Sequence, residues 1–346
     1  MYCAHVCVVD CLRENRPVSL ADDAEVAVKY VYGAPDALRA CLARTEEIRD
    51  WQARNLASQD RMREGLGADG KFSVVLDAAI VGSPRDRAEG ALRIVATWLP
   101  GVSLLQYEAT MRAEAAHGHT PLLADMLTLL RSLAESIRCF SQIRPGFKLV
   151  HRDLKPSNII VAPALHAGGL SSRASEGRPR ASEGPPRASG VPSHAGVVDY
   201  DSSLFVKGLE SCAGLSTMGY APPEGVVGRE GIGRCADAST DIYSFGVVAH
   251  ELLCGRMPYR MSGPPDTVDW PAVYATDASL DIASGLPAEI AGLIGQCLSF
   301  DREKRPDASE LCARLDDALS WFAASSEACP IEFKPASCAD MPTRDI

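Results

Sequence analysis

Val26, Val28, Tyr30 and Tyr32 alternate with Ala27, Lys29 and Val31, the two-residue period of a strand built from β-branched and aromatic side chains. From Pro35 to about Met62 the spacing changes. Leu38, Leu42, Ile48 and Trp51 recur among charges, which predicts an amphipathic helix with Pro35 near its start. Phe72–Val81 and Leu92–Trp98 return to strand patterning, joined by the polar turn Ser-Pro-Arg-Asp-Arg-Ala-Glu-Gly. A long helical pattern follows between Pro121 and Ile143, carried by Leu122, Met126, Leu129, Leu130, Leu133, Ile137 and Phe140.

Residues 163–196 break the pattern. They are rich in Ala, Gly, Ser, Pro and Arg and carry a tandem repeat: Arg-Ala-Ser-Glu-Gly-Arg-Pro from Arg173, Arg-Ala-Ser-Glu-Gly-Pro-Pro from Arg180, and Arg-Ala-Ser-Gly-Val-Pro-Ser from Arg187. Such a tract lacks the apolar area to offset its ordering entropy and is expected to be a disordered surface loop. The chain beyond it is expected to be mostly helical up to Phe322. Residues 323–346 lack periodicity and are expected to form a disordered tail.

Composition narrows the function classes. The 346 residues are 46% hydrophobic and 23% charged, enough apolar material for a substantial core. Asp and Glu outnumber Lys and Arg by 45 to 35, a formal charge of −10, which argues against nucleic acid or an anionic membrane as partner. No run of about 18 apolar residues exists to span a membrane. Twelve cysteines contain no Cys-x-x-Cys pair, so a zinc site or a disulfide framework is not indicated, although Cys3, Cys7 and Cys11 are evenly spaced. A reduced, cytoplasmic setting is the expectation.

Residues 151–158 read His-Arg-Asp-Leu-Lys-Pro-Ser-Asn. This stretch resembles the catalytic loop of the protein kinases, in the wording of their Ser/Thr class. Phosphoryl transfer is a matter of positioning and charge: an anion to orient the attacking hydroxyl, a cation near the migrating group, and ligands for metal ions. In that scheme Asp153 accepts the hydroxyl proton, Lys155 meets the γ-phosphate, and Asn158 offers a hard oxygen ligand to Mg²⁺.

The resemblance extends along the chain. Asp199-Tyr200-Asp201 occupies the place of the family's Asp-Phe-Gly, with Asp199 as the second metal ligand and Tyr200 as the packing aromatic. Asp201 departs from the pattern by replacing the glycine that reaches positive φ easily. The interval between Asn158 and Asp199 exceeds the family's usual one, and the repeat tract accounts for the surplus. Ser216 to Glu224 resembles the segment ending in Ala-Pro-Glu, with Thr217 bonding the catalytic Asp and Glu224 pairing with Arg305. Asp241, in Asp-Ile-Tyr-Ser-Phe-Gly, is expected to brace the catalytic-loop backbone. Arg152 suits a switch in which a phosphate on Ser211 or Ser216 orders the segment.

Val26-Ala27-Val28-Lys29 matches the strand whose Lys holds the α- and β-phosphates, so Ala27 and Lys29 are assigned to the nucleotide. A helical Glu should pair with Lys29. Glu46 and Glu47 compete, and Trp51, the apolar residue four after Glu47, favours Glu47. Thr97-Trp98-Leu99-Pro100-Gly101 looks like the hinge that bonds adenine, Ala96 limits access behind it, and Ser103 is placed to reach the ribose. No Gly-x-Gly-x-x-Gly precedes Lys29. The first strand and its glycine loop are therefore read as absent or degenerate, with Val6 standing for the apolar residue over the adenine.

Together these features imply an α+β, bilobed kinase-like fold: a β-rich lobe with one helix over residues 1–101 and a larger helical lobe over 102–322. The implied activity is transfer from Mg-ATP to Ser or Thr of a protein substrate. The alternative is a pseudokinase acting as a scaffold or allosteric binding module, supported by the missing glycine loop and Asp201. A small-molecule kinase fits less well with the Glu224–Arg305 platform.

Overall fold

A computed structural model describes residues 2–4, 26–58, 72–82, 90–99, 101–118, 121–141, 146–163, 192–212, 217–228, 233–261, 267–282, 285–324 and 331. Strands β1 (Tyr2–Ala4), β2 (Val26–Val31), β3 (Val75–Gly82) and β4 (Gly90–Thr97) form an antiparallel sheet in the order β1-β2-β4-β3. Its register sets Ala27 opposite Ala96 and Lys29 opposite Ile94.

Helix α1 (Pro35–Ser58) packs on this sheet. Its buried positions Leu38, Cys41, Thr45, Ile48 and Gln52 follow the three-and-four spacing of one helical face. The Gln52 amide locks the helix to the chain entering β3. It donates to the Ser73 carbonyl at 3.0 Å and accepts from the Val75 N–H at 2.7 Å. The described helix ends at Ser58, and the expected extension to Met62 lies outside the described residues.

The chain leaves β4 through Thr97–Leu99 and turns at Gly101, whose φ is +137°. A Cβ there would sit 2.3 Å from the Val161 carbonyl oxygen, so this close crossing requires glycine. β5 (Val102–Ser103) leads into α2 (Leu104–Ala115) and then α3 (Leu123–Ser141). Met126, Leu127, Leu129, Leu130, Leu133, Ala134, Ile137 and Phe140 of α3 are all buried, matching its predicted apolar stripe except at Leu122, which is exposed just ahead of the helix. β6 (Lys148–Val150), β7 (Ile159–Pro163), β8 (Pro192–Val197) and β9 (Leu204–Val206) carry the segments flanking the site. β10 (Glu210–Ser211), α4 (Pro223–Val226), β11 (Cys235–Ala236), α5 (Ser239–Cys254), α6 (Trp270–Val273), α7 (Ala288–Cys297) and α8 (Ala308–Ala324) complete the larger lobe.

Every residue of α5 from Thr240 to Leu253 is buried, which makes it the central pillar of that lobe. Gly246 permits the approach of α7, since a Cβ there would lie 2.8 Å from the Cβ of Cys297.

Two boundaries differ from the compositional expectation. The tract assigned to a disordered loop ends earlier, because Pro192–Val197 forms β8 and pairs with β7. Small residues suffice there: Ala195 and Val197 are buried against a strand and a helix that supply the apolar partners. Residues 164–191 lie outside the described residues. At the other end α8 runs to Ala324, and Ile331 is buried with its N–H bonded to the Pro121 carbonyl. A lone apolar residue gives no periodic signal, so this anchor was invisible to pattern reading.

Candidate active site

β6 delivers the catalytic-loop segment from the core, with Leu149 and Val150 buried. The segment is then held by Asp241 in the first turn of α5. Its carboxylate accepts from the His151 N–H at 2.7 Å and from the Arg152 N–H at 2.9 Å. Arg152 sits at φ +69°, a costly conformation for a non-glycine residue that the Asp241 clamp enforces.

This bend presents Asp153 to a small polar cluster. The Thr217 hydroxyl donates to Asp153 Oδ1 at 2.6 Å, and Lys155 Nζ donates to the same hydroxyl at 2.9 Å. Lys155 also lies 3.3 Å from Asp153 Oδ2. Asn158, in the 3₁₀ turn Pro156–Asn158, donates its side-chain N–H to the Asp153 carbonyl at 2.9 Å and to Oδ2 at 3.0 Å. Its amide nitrogen is thereby committed, and its carbonyl oxygen is the atom suited to a hard cation.

Asp199 follows β8 with φ +74°. The preceding Val198 N–H bonds to the Asn158 carbonyl at 3.0 Å, which joins the two segments expected to share a metal. Lys29 Nζ reaches both oxygens of Asp199 at 2.7 Å and Asp201 Oδ2 at 2.6 Å. Burial opposes the Lys29 charge, but the two carboxylates outweigh it and push its pKa up to about 12. Burial likewise opposes the Asp199 charge, and Lys29 outweighs it to hold that carboxyl below its usual range. Asp201 goes the other way: burial and then the neighbouring Asp199 charge push its carboxyl up.

Glu47 does not partner Lys29. It is exposed on α1, about 200° around the helix from the buried Thr45 that lines the cleft. Glu46 is half-buried and makes no ion pair with Lys29. Trp51 favoured Glu47 as the apolar residue that would pack on the aromatic at 200, and it does not make that ring contact. Its ring meets Phe72 and Phe205 at 6.5 and 6.3 Å, whereas Tyr200 stacks edge-on against His151 at 5.6 Å and Phe140 at 6.1 Å.

A cleft lies between the sheet and the larger lobe. Ala27, Val75, Ile94, Ala96 and Ile160 give it apolar walls, the Thr97–Leu99 segment borders one side, and Lys29, Asp199 and Asp201 form its charged end. Trp98 also lines it. The Thr97 side chain is turned into the sheet edge, accepting from the Val74 N–H at 2.9 Å. Ser103 caps α2: its hydroxyl accepts from the Gln106 N–H, and the Gln106 side chain accepts from the Ser103 N–H. Val6 and Ser216 lie outside the described residues. Ile160 and Thr45 were not foreseen from the sequence; Ile160, two residues after Asn158 on β7, had a positional signal, and Thr45 had none.

The surface beside the catalytic cluster is pinned from below. Arg305 binds Glu224 through two hydrogen bonds at 2.7 and 2.9 Å, fully buried, with its guanidinium 4.9 Å over the Tyr243 ring. Tyr220 donates to Glu251 at 2.5 Å, and the Ser244 hydroxyl donates to the Tyr220 carbonyl at 2.9 Å.

An antiparallel-sheet lobe and a helical lobe that enclose a cleft with a catalytic loop at its rim are the architecture of a protein kinase. The family profile of the protein kinase domain matches residues 138–315, and the chain belongs to that family. It is similar to serine/threonine-protein kinase pkn2 of Myxococcus xanthus, 31% identical over 56% of this chain and 20% of the relative. It is also similar to serine/threonine-protein kinase A of Synechocystis, 26% identical over 49% of this chain and 28% of the relative. Human receptor-interacting serine/threonine-protein kinase 3 is 30% identical over 49% of this chain and 29% of its own length. The chain thus spans under a third of the length of these three relatives. No helix among the described residues is long and apolar enough to cross a membrane.

Proposed function

We propose that the chain transfers the γ-phosphoryl group of Mg-ATP to Ser or Thr hydroxyls of protein substrates. The observation that carries this reading is the Asp153–Thr217–Lys155 cluster, in which one hydroxyl accepts from the lysine and donates to the aspartate. This arrangement fixes the carboxylate that would receive the substrate proton and keeps the cation beside it. The threonine at 217 and the lysine at 155 are the features that the resemblance associates with Ser/Thr rather than Tyr acceptors.

The donor set suits the nucleotide and its metal. Asp199 is held ionised and Asn158 presents a neutral oxygen, two hard ligands for Mg²⁺ on adjoining segments. Bound there, the metal would neutralise phosphate charge. Lys29 supplies a fixed cation at the same end of the cleft, and the apolar walls from Ala27 to Ile160 accept a planar base. The hinge groups at Thr97 and Trp98 would border its edge. The names of the relatives, all serine/threonine kinases, support the same acceptor class.

The pseudokinase alternative draws on the missing glycine loop and on Asp201, which stands in place of glycine and engages the nucleotide lysine directly. Transfer of labelled phosphate by the purified chain separates the two. Transfer that is lost in Asp153→Asn supports the enzyme. No transfer at saturating Mg-ATP supports the binding module.

A further inference from the structure

We infer that Asp201 is the positioning anion of Lys29, doing from the Asp-Tyr-Asp segment what the family's helical glutamate does from the small lobe. The inference rests on the proposed nucleotide role of Lys29. Among the described residues, both anions within ion-pair distance of Lys29 come from that segment: Asp199 at 2.7 Å and Asp201 at 2.6 Å.

Helix α1 brings no anion to this place. Its buried face presents Leu38, Cys41, Thr45, Ile48 and Gln52. Cys41 on that face lies within electrostatic reach of the charges: its thiol is pushed up by burial and then by the Asp201 carboxylate, with Arg44 and Lys29 acting against them. What α1 does contribute is a cation. Arg44 donates to the Asp201 backbone carbonyl at 3.3 Å. The usual polarity is inverted: the helix holds the segment by its backbone, and the segment holds the lysine by its side chain.

The two aspartates are not equivalent in this role. Asp199 is the carboxylate assigned to the metal, and one shared with a divalent cation neutralises Lys29 less. Asp201 is the anion left to aim the lysine along the cleft. A glycine at 201 would leave Lys29 with Asp199 alone.

The test uses the full chain and three variants. Asp201→Gly and Asp201→Asn should lower kcat about tenfold or more while changing the affinity for a fluorescent ATP analogue less than about threefold, because the defect lies in aiming a retained cation. Adding Cys41→Glu to Asp201→Gly should restore kcat to within about threefold of the parent, since it returns an anion to the helix face beside Lys29. Undiminished kcat in both single variants overturns the inference. So does a raised Mg²⁺ requirement without rescue by Cys41→Glu, which would make Asp201 a metal ligand.

A second measurement stands apart from activity. In a double-variant cycle of Lys29→Met and Asp201→Asn, the combined shift in melting temperature should fall short of the sum of the single shifts by about 2 °C or more. Additive shifts overturn the pairing. If the chain transfers no phosphate at all, the cycle still reads the pair, so the failure of the enzyme reading and of this inference can be told apart.

Discussion

The two lobes hold their functional charges in different ways. In the larger lobe the charges and the loop that carries them are fixed by partners within that lobe: Asp241 clamps the catalytic-loop backbone, Arg305 clamps Glu224, and Thr217 and Asn158 converge on Asp153. In the smaller lobe the one cation assigned to catalysis, Lys29, has no anion from its own lobe among the described residues and is held by Asp199 and Asp201 across the cleft. The larger lobe is therefore organised by its own contacts. The position of Lys29 depends on how the lobes meet. Helix α1 serves the small lobe as a packing element, tied to the sheet by Gln52 and to the segment after β8 by Arg44.

Variants can break or sharpen this contrast. The largest effect should come from Asp153→Asn. It keeps the shape of the cluster but removes the anion, so phosphate transfer should fall by about 10²-fold or more while nucleotide affinity stays near its starting value. An unchanged turnover number would remove the catalytic assignment of the loop.

Glu224→Ala should come next. It leaves the Arg305 guanidinium buried without its carboxylate, and unfolding by denaturant should show a loss of about 3–5 kcal/mol. A loss below about 1 kcal/mol would mean that the larger lobe does not depend on this pair.

Acid should act on the same lobe through His250. Burial pushes its pKa down to about 4 from 6.5, against the hydrogen bond between its ring and the Arg256 carbonyl. A depressed folded-state pKa contributes stability that is present above pH 6.5 and lost as pH falls through about 4. Stability curves of the parent and of His250→Gln should therefore converge by about 2–3 kcal/mol over that window. Parallel curves would show that the imidazole charges without cost.

On the sheet side, Ala96 lines the cleft opposite Ala27 in the strand register. An adenine analogue with a bulky apolar substituent should bind the parent and lose about tenfold or more affinity in Ala96→Phe, with ATP little changed. Equal affinities would show that the analogue does not enter beside Ala96.

The smallest effect sharpens the contrast most. Glu47→Ala should leave transfer unaltered and stability within about 0.5 kcal/mol, because the residue is exposed on the outer side of α1. A large loss of activity would restore the helical glutamate to the role now assigned to Asp201.

The stretches that could be read in advance were those whose meaning is local. His151 to Asn158 is one contiguous segment, and its internal contacts follow from its own short loop and 3₁₀ turn. The apolar stripe of α3 and the β-branched alternation of β2 report their own burial, since period alone says which face turns inward. Glu224 and Arg305 are far apart in the chain, but each sits in a recognisable segment, so their pairing could be expected.

The partner of Lys29 was of another kind. Choosing between Glu46 and Glu47 required the rotational phase of α1 against β2, and one residue of helix turns a side chain by about 100°. That phase is set by Leu38, Ile48 and the Gln52 clamp on Ser73 and Val75, contacts that no local pattern contains. β8 and Ile331 escaped for the same reason. Small or isolated residues carry little signal of their own and become ordered through partners distant in sequence.

By itself, then, the order of residues determined the class of fold, the catalytic loop and the chemistry available to it, because those depend on neighbours within a few positions. Which anion faces Lys29, which residues floor the cleft, and where the repeat tract gives way to a strand were decided by the tertiary structure. Each depends on a sum of small rotations and long-range contacts that only the packed chain resolves.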